Sequence, residues 1–141
     1  MKYLVDTDWI AAYLKGRQPF LQVLTQLAAD GLAVSLMTYG EIYEGIYFGT
    51  DPKAQETGFQ RFLRVVTVLP LNRLIMRRFA RLRGQLRQTG QLIGDPDVLI
   101  AATALHYDLT LVTNNRRHFE RIHGLKLLPA PSGRLVSSGQ S

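Results

Sequence analysis

Five short apolar runs cross this chain, and a stretch with helical spacing separates each from the next. That alternation admits few architectures. Strand–helix–strand units give a mainly parallel sheet with helices on both faces. The runs are Lys2–Thr7, Leu32–Met37, Val65–Leu69, Leu109–Thr113 and Leu125–Leu128. Parallel strands buried on both sides are continuously apolar, and most of these runs are. The sequence therefore predicts an α/β fold with a mainly parallel five-stranded sheet.

The helical stretches have readable ends. Trp9 to Leu14 forms a short helix stopped by Gly16, and a stripe from Phe20 to Ala28 follows Pro19 and stops at Gly31. Glu41 to Phe48 has helical spacing and is closed by Gly49. Asp51 and Pro52 cap and start a helix that reaches Arg64, since Pro suits the first turn. Asn72 to Gln88 is the clearest helix, because Ile75, Phe79, Leu82 and Leu86 fall on one narrow face. Asp95-Pro96-Asp97 opens a helix through His106, with Asp95 as its N-cap. Phe119 and Ile122 mark a last short helix. The expected domain spans 1–131, followed by a polar, frayed tail over 132–141.

At 141 residues the chain fits one domain. It has no cysteine, which excludes disulfides and thiolate metal sites. No run approaches the roughly 20 apolar residues of a membrane span, and the strand pattern begins too early for a signal peptide. A cytoplasmic protein is expected. Its 17 Lys and Arg against 11 Asp and Glu leave a net charge of +6, which favours a polyanionic partner. The charges are unevenly spread. No acid lies between Glu56 and Asp95, where eight arginines fall.

The acids cluster at telling places instead. Asp6 ends the first strand and meets a helix directly, where open parallel sheets place their active sites. Glu41 follows the second strand at the start of a helix, and Asp97 lies in the first turn of the helix before the fourth strand. Asn115 comes just after that strand. Taken singly, Asp6 serves equally as an N-cap, and Glu41 and Asp97 as complements to a helix dipole. Their shared location raises the functional reading. Carboxylates that converge repel one another, and a hard divalent cation relieves the repulsion. Oxygen ligands without Cys or paired His point to Mg²⁺ or Mn²⁺.

Other residues are read more plainly. Asp8, Glu44 and Asp108 are solvated or capping groups, with Asp8 the best placed to support the site from behind. His106, His118 and His123 have no ligand spacing and suit boundary positions. Trp9, Tyr39, Tyr43 and Tyr47 offer either base stacking or helix packing. Arginine is a good helix former, so a charged outer face needs no special cause. Six arginines between Arg73 and Arg87 without an acid still favour an anionic contact, with Arg73, Arg77 and Arg81 as RNA-binding candidates.

In order, Tyr3-Leu4-Val5-Asp6-Thr7, Leu36 to Gly45, Asp97 to Leu105, and Leu109 to Asn115 with Phe119 make a pattern. Over residues 2 to 129 it resembles the PIN-domain ribonucleases of the VapC type, the toxin halves of toxin–antitoxin pairs. The resemblance implies a three-layer α/β/α sandwich with an acidic pocket for Mg²⁺ or Mn²⁺. By motif position Asp6 and Asp97 are the principal metal ligands and Glu41 completes the cluster. Asn115 stands where many relatives carry Asp, and Thr113 orients that end of the pocket. The resemblance further implies a homodimer and a cognate VapB antitoxin.

The expected reaction is hydrolysis of an RNA phosphodiester by a metal-activated water, leaving 5′-phosphate and 3′-hydroxyl ends. Two other readings stay open. Asn115 suits a nucleic-acid- or partner-binding module with a degenerate site. Asp6-Thr7-Asp8 is similar to the nucleophile motif of haloacid-dehalogenase-like phosphatases, but none of Lys2, Lys15, Lys53 and Lys126 falls where that chemistry needs one.

Overall fold

The computed structural model describes residues 1–129, so the expected tail over 132–141 lies outside the described residues. The chain runs β1 (Tyr3–Val5), α1 (Thr7–Leu14), α2 (Phe20–Leu27), β2 (Leu32–Ser35), α3 (Leu36–Tyr47) and α4 (Pro52–Leu63). It continues through β3 (Val66–Leu69), α5 (Arg73–Gln88), α6 (Asp95–His106), β4 (Thr110–Val112) and α7 (Arg116–Phe119). The strands form one sheet in the order β3-β2-β1-β4, every pair parallel.

The sheet sorts its side chains by the two-residue period of a strand. Leu4, Ala33 and Leu111 face one way and pack against α5 and α6 through Leu86, Val98, Ala101 and Ala104. Tyr3, Val5, Leu32, Val34 and Val112 face the other way, against Trp9, Ile10, Leu24, Ile42, Ile46, Phe59 and Phe62 of α1 to α4. Three layers result, held by two apolar cores.

The sheet has four strands among the described residues, not five. The expected fifth, Leu125–Leu128, reaches β4 only as a single parallel bridge between Leu127 and Leu111. Leu111 donates to the Lys126 carbonyl at 2.8 Å and accepts from Leu128 at 2.9 Å. The next rung would need the Leu128 carbonyl, which instead accepts from Arg116 Nη1 at 2.5 Å. A side chain has replaced the ladder.

Two helix starts also differ from expectation. β2 ends at Ser35, whose hydroxyl accepts from Thr38 N at 3.0 Å and caps α3. The helix therefore begins at Leu36, and Glu41 lies in its second turn. Gly94, not Asp95, occupies the N-cap of α6. Asp95 is spent on Arg83, 2.7 Å away. The expected cap Asp51 does accept from Ala54 N, and Asn72, not singled out as a cap from sequence, accepts from Ile75 N and caps α5.

One consequence of the topology sets the stage for function. β1 pairs with β2 on one side and β4 on the other, so the strand order reverses between β1 and β4. A crevice opens at the C-terminal ends of strands at such a switch point. Asp6 follows β1 there and Thr113 follows β4, their segments joined by the Asp6 N–H to the Val112 carbonyl at 2.9 Å.

Candidate active site

Asp6 is nearly fully buried, at 5% exposure. It caps α1, its Oδ1 accepting from Thr7 N at 2.8 Å. Its Oδ2 accepts from Thr113 Oγ1 at 2.6 Å. The capping role weighed from sequence is met by Oδ1, and Oδ2 is engaged by Thr113.

The network extends in both directions. Thr113 Oγ1 accepts from Asn115 N at 2.9 Å, and Asn115 Nδ2 donates to Asp97 Oδ2 at 3.0 Å. On the other side Thr7 Oγ1 donates to Glu41 Oε1 at 2.7 Å. A continuous chain thus runs Glu41–Thr7–Asp6–Thr113–Asn115–Asp97. All four residues singled out from sequence belong to it. They are joined through hydroxyls and an amide. Among the described residues no three Asp, Glu or His side chains form a ready-made cation cluster. Carboxylates at close range repel, and here each is turned toward a neutral donor.

Two more residues take part: His118, read from sequence as a boundary residue, and Asp8, read as the acid best placed to support the site from behind. His118 Nδ1 stands 3.0 Å from Asp97 Oδ2 and 2.7 Å from Asn115 Nδ2. Asp8 accepts from Asn114 N through Oδ2 at 3.1 Å, while its Oδ1 is buried without a hydrogen-bond partner. Asn114 also accepts from the Trp9 indole at 3.0 Å. Trp9 itself is 1% exposed and meets Phe20 edge-on at 4.8 Å, so it packs and does not stack on bases. Tyr39 and Tyr43 pack against Phe59.

The charges are under strain. Burial, then the neighbouring Asp8 charge, pushes the Asp6 carboxyl up to about 7, with Asp97 adding to it and the Thr113 and Thr7 hydrogen bonds opposing. Burial likewise raises Asp8, with Asp97 adding. Three carboxylates therefore feel one another without a cationic Lys or Arg contributing to either shift. Such a site favours a bound cation.

The arginine candidates lie elsewhere. Arg73, Arg77 and Arg81 are exposed on α5. Arg77 and Arg81, with Leu74 and Arg78, surround His106 at the C-terminal end of α6. Asp97 lies nine residues earlier on that helix, about 13 Å along its axis.

An all-parallel sheet that reverses its order beside a group of acids around the buried Asp6 defines an acid-centred α/β domain of the PIN class. The PIN domain family matches residues 3–125. Ribonuclease VapC2 of Haemophilus influenzae is 34% identical over 128 residues, covering 89% of this chain and 96% of that one. Ribonuclease VapC1 of Methanocaldococcus jannaschii is also 34% identical, covering 89% of this chain and 86% of its own. Among solved structures, VapBC2 of Rickettsia felis bound to a promoter DNA fragment superposes with a TM-score of 0.85 at 28% identity, covering 91% of this chain and 98% of that one. The chain belongs to the PIN-domain family, in its VapC branch.

Proposed function

We propose that the chain is a Mg²⁺- or Mn²⁺-dependent endoribonuclease, the toxin of a VapBC-type pair. The observation that carries this reading is the Asp6–Thr113–Asn115–Asp97 relay, buried at Asp6 and Thr113, with the unpartnered Asp8 Oδ1 beside it. The relatives named ribonucleases supply the substrate class.

The residues fit a hard cation. The donors are oxygens, one is buried with its hydrogen-bonding capacity unused, and Asp6 resists ionising in their company. Asp6 and Asp97 would hold the ion, with Glu41 and Asn115 completing the surround. When bound, such an ion acidifies a water and offsets charge on the phosphodiester. Thr113 and Thr7 fix the two oxygens of Asp6. Asn115 and His118 fix Asp97. Glu41, held through Oε1 by Thr7, keeps Oε2 for a water or substrate hydroxyl. Asn115 is neutral where many relatives carry Asp, and that is the feature favouring a binding module over an enzyme.

The partners follow the same reading: an RNA substrate, a VapB-type antitoxin as in the solved VapBC complexes, and a second copy of the chain as a homodimer. No helix among the described residues is long and apolar enough to cross a membrane, in keeping with the cytoplasmic setting we propose. Arg73, Arg77 and Arg81 would hold RNA phosphates away from the cleavage point.

Purified protein with Mg²⁺ or Mn²⁺ should cleave single-stranded RNA, and excess EDTA should stop it. Asp6→Asn and Asp97→Asn should each lose about a hundredfold or more of the rate, by analogy with removal of essential site groups. Undiminished cleavage by both variants rules the assignment out. Metal binding by calorimetry without cleavage would select the binding module.

A further inference from the structure

A cleft of about 460 Å³ opens beside the acids, between α1, α3 and α4. Thr7 and Glu41 are among its lining residues, so it adjoins the relay. Its walls include Ile42, Gly45, Gly58 and Gln55. We propose that this cleft is a nucleobase pocket, and that Gln55 reads the edge of the base next to the scissile phosphate. The proposal rests on the nuclease reading and adds a specificity site to it.

Size and position come first. The volume falls within the roughly 300–1,000 Å³ of small-molecule pockets. A group that fills it comes against Glu41 and Thr7, and so beside the site proposed for the reacting phosphate. In single-stranded RNA that group is a base, splayed out and free to be read on its edges. Apolar walls with few polar groups suit a ring that is mostly apolar on its faces and polar at its rim.

The glycines sharpen the case. Gly45 lies within α3 and Gly58 within α4. Glycine inside a helix costs about 1 kcal/mol against alanine. A Cβ at either position would meet nothing within 4 Å. Packing therefore does not require these glycines, and a side chain at either would occupy the cleft.

Gln55 is the polar reader. A Cβ at Gly49 would stand 2.3 Å from Gln55 Oε1 and 2.7 Å from the Gly45 carbonyl, so the Gln55 amide lies against the end of α3. Among the described residues the amide makes no hydrogen bond. Gln55 is exposed, so its amide donor and acceptor are open to a ligand that enters the cleft. Glutamine can pair in bidentate fashion with adenine. Lys15, on the rim, offers a cation for a flanking phosphate.

The experiment sequences the products of cleavage of single-stranded RNA oligonucleotides of randomised sequence, with Mg²⁺, by wild type, Gln55→Ala, Gly45→Leu and Gly58→Leu. The leucine variants enter open space and should fold, as circular dichroism would verify. Wild type should cleave with a base preference at one position adjoining the cut. Gln55→Ala should relax that preference about tenfold, and the leucine variants should lower kcat/KM at preferred sites by a similar factor. Cleavage by all four with one unchanged profile and rate overturns the pocket and leaves the nuclease standing. No cleavage by wild type overturns both. Unchanged cleavage by variants that no longer copurify with the cognate antitoxin assigns the cleft to a protein segment and overturns the base reading.

Discussion

Thr113 Oγ1 donates to Asp6 Oδ2 across 2.6 Å, joining residues 107 positions apart. The same hydroxyl accepts from Asn115 N at 2.9 Å. One side chain at the end of β4 thus holds the central acid and sets the asparagine that holds Asp97. The hydroxyl is used both ways, which no carboxylate or amine in its place would reproduce.

Thr113→Val keeps shape and removes both bonds. The buried Asp6 oxygen and the Asn115 N–H lose their partners, at about 1–3 kcal/mol for each unsatisfied group. Supporting hydrogen bonds behind metal ligands are worth roughly 10–100-fold in metal affinity. Calorimetry should therefore show Mg²⁺ binding weakened by about that factor, with Thr113→Ser restoring it. Equal affinities in wild type and Thr113→Val would remove the residue from the site.

The Asp6 carboxyl, pushed up from 3.8 to about 7 by burial and by Asp8, makes stability depend on pH. Between those values the native state binds the proton more tightly than the unfolded chain. Stability therefore falls as pH rises from about 4 to about 7 and levels off above. Asp6→Asn removes that penalty. In EDTA at pH 8 the variant should be the more stable protein, by an amount of order 1 kcal/mol or more, with the advantage vanishing near pH 4. Denaturant melts at the two pH values measure it. A variant less stable than wild type at pH 8 contradicts the burial argument.

The fold was legible where the signal was local. The apolar runs gave β1 to β4, and the spacing of Ile75, Phe79, Leu82 and Leu86 gave the α5 face that packs on the core. The placement of Asp6 and Asp97 was legible because the end of a strand and the first turn of a helix are both local signals. Asp8 was legible only as the acid best placed behind the site, and His118 was not legible at all. Their meaning comes from Asn114, 106 residues away, and Asp97, 21 residues away, and no spacing in sequence records such contacts. The fifth apolar run, Leu125–Leu128, meets β4 through the single Leu127–Leu111 bridge, and its local pattern does not record how far that pairing extends. Glu41 was placed at a helix start because Ser35 was read as strand interior, when its hydroxyl caps α3.

Asp8 separates support of a helix from support of a metal. If it served only the α1 dipole, Asp8→Asn would cost a few tenths of a kcal/mol and nothing else. Its buried, unpartnered Oδ1 and its charge beside Asp6 argue for more. Asp8→Asn should flatten the pH dependence described for Asp6, raise stability in EDTA, and weaken Mg²⁺ binding about tenfold. Unchanged Mg²⁺ affinity would return Asp8 to a capping role.

The arginines of α5 predict a dependence on RNA length. Arg77 and Arg81 cluster about His106, about 13 Å along α6 from Asp97. A short oligonucleotide centred on the acids spends few phosphates there, whereas a long strand can lie across both. Each phosphate contact to single-stranded nucleic acid contributes about 0.7 to the slope of log K against log salt. Arg77→Ala with Arg81→Ala should reduce that slope by roughly 1.4 for long RNA. Cleavage of a tetranucleotide should change little. A slope that does not move would detach these arginines from RNA and leave their exposed, acid-free face to a protein partner.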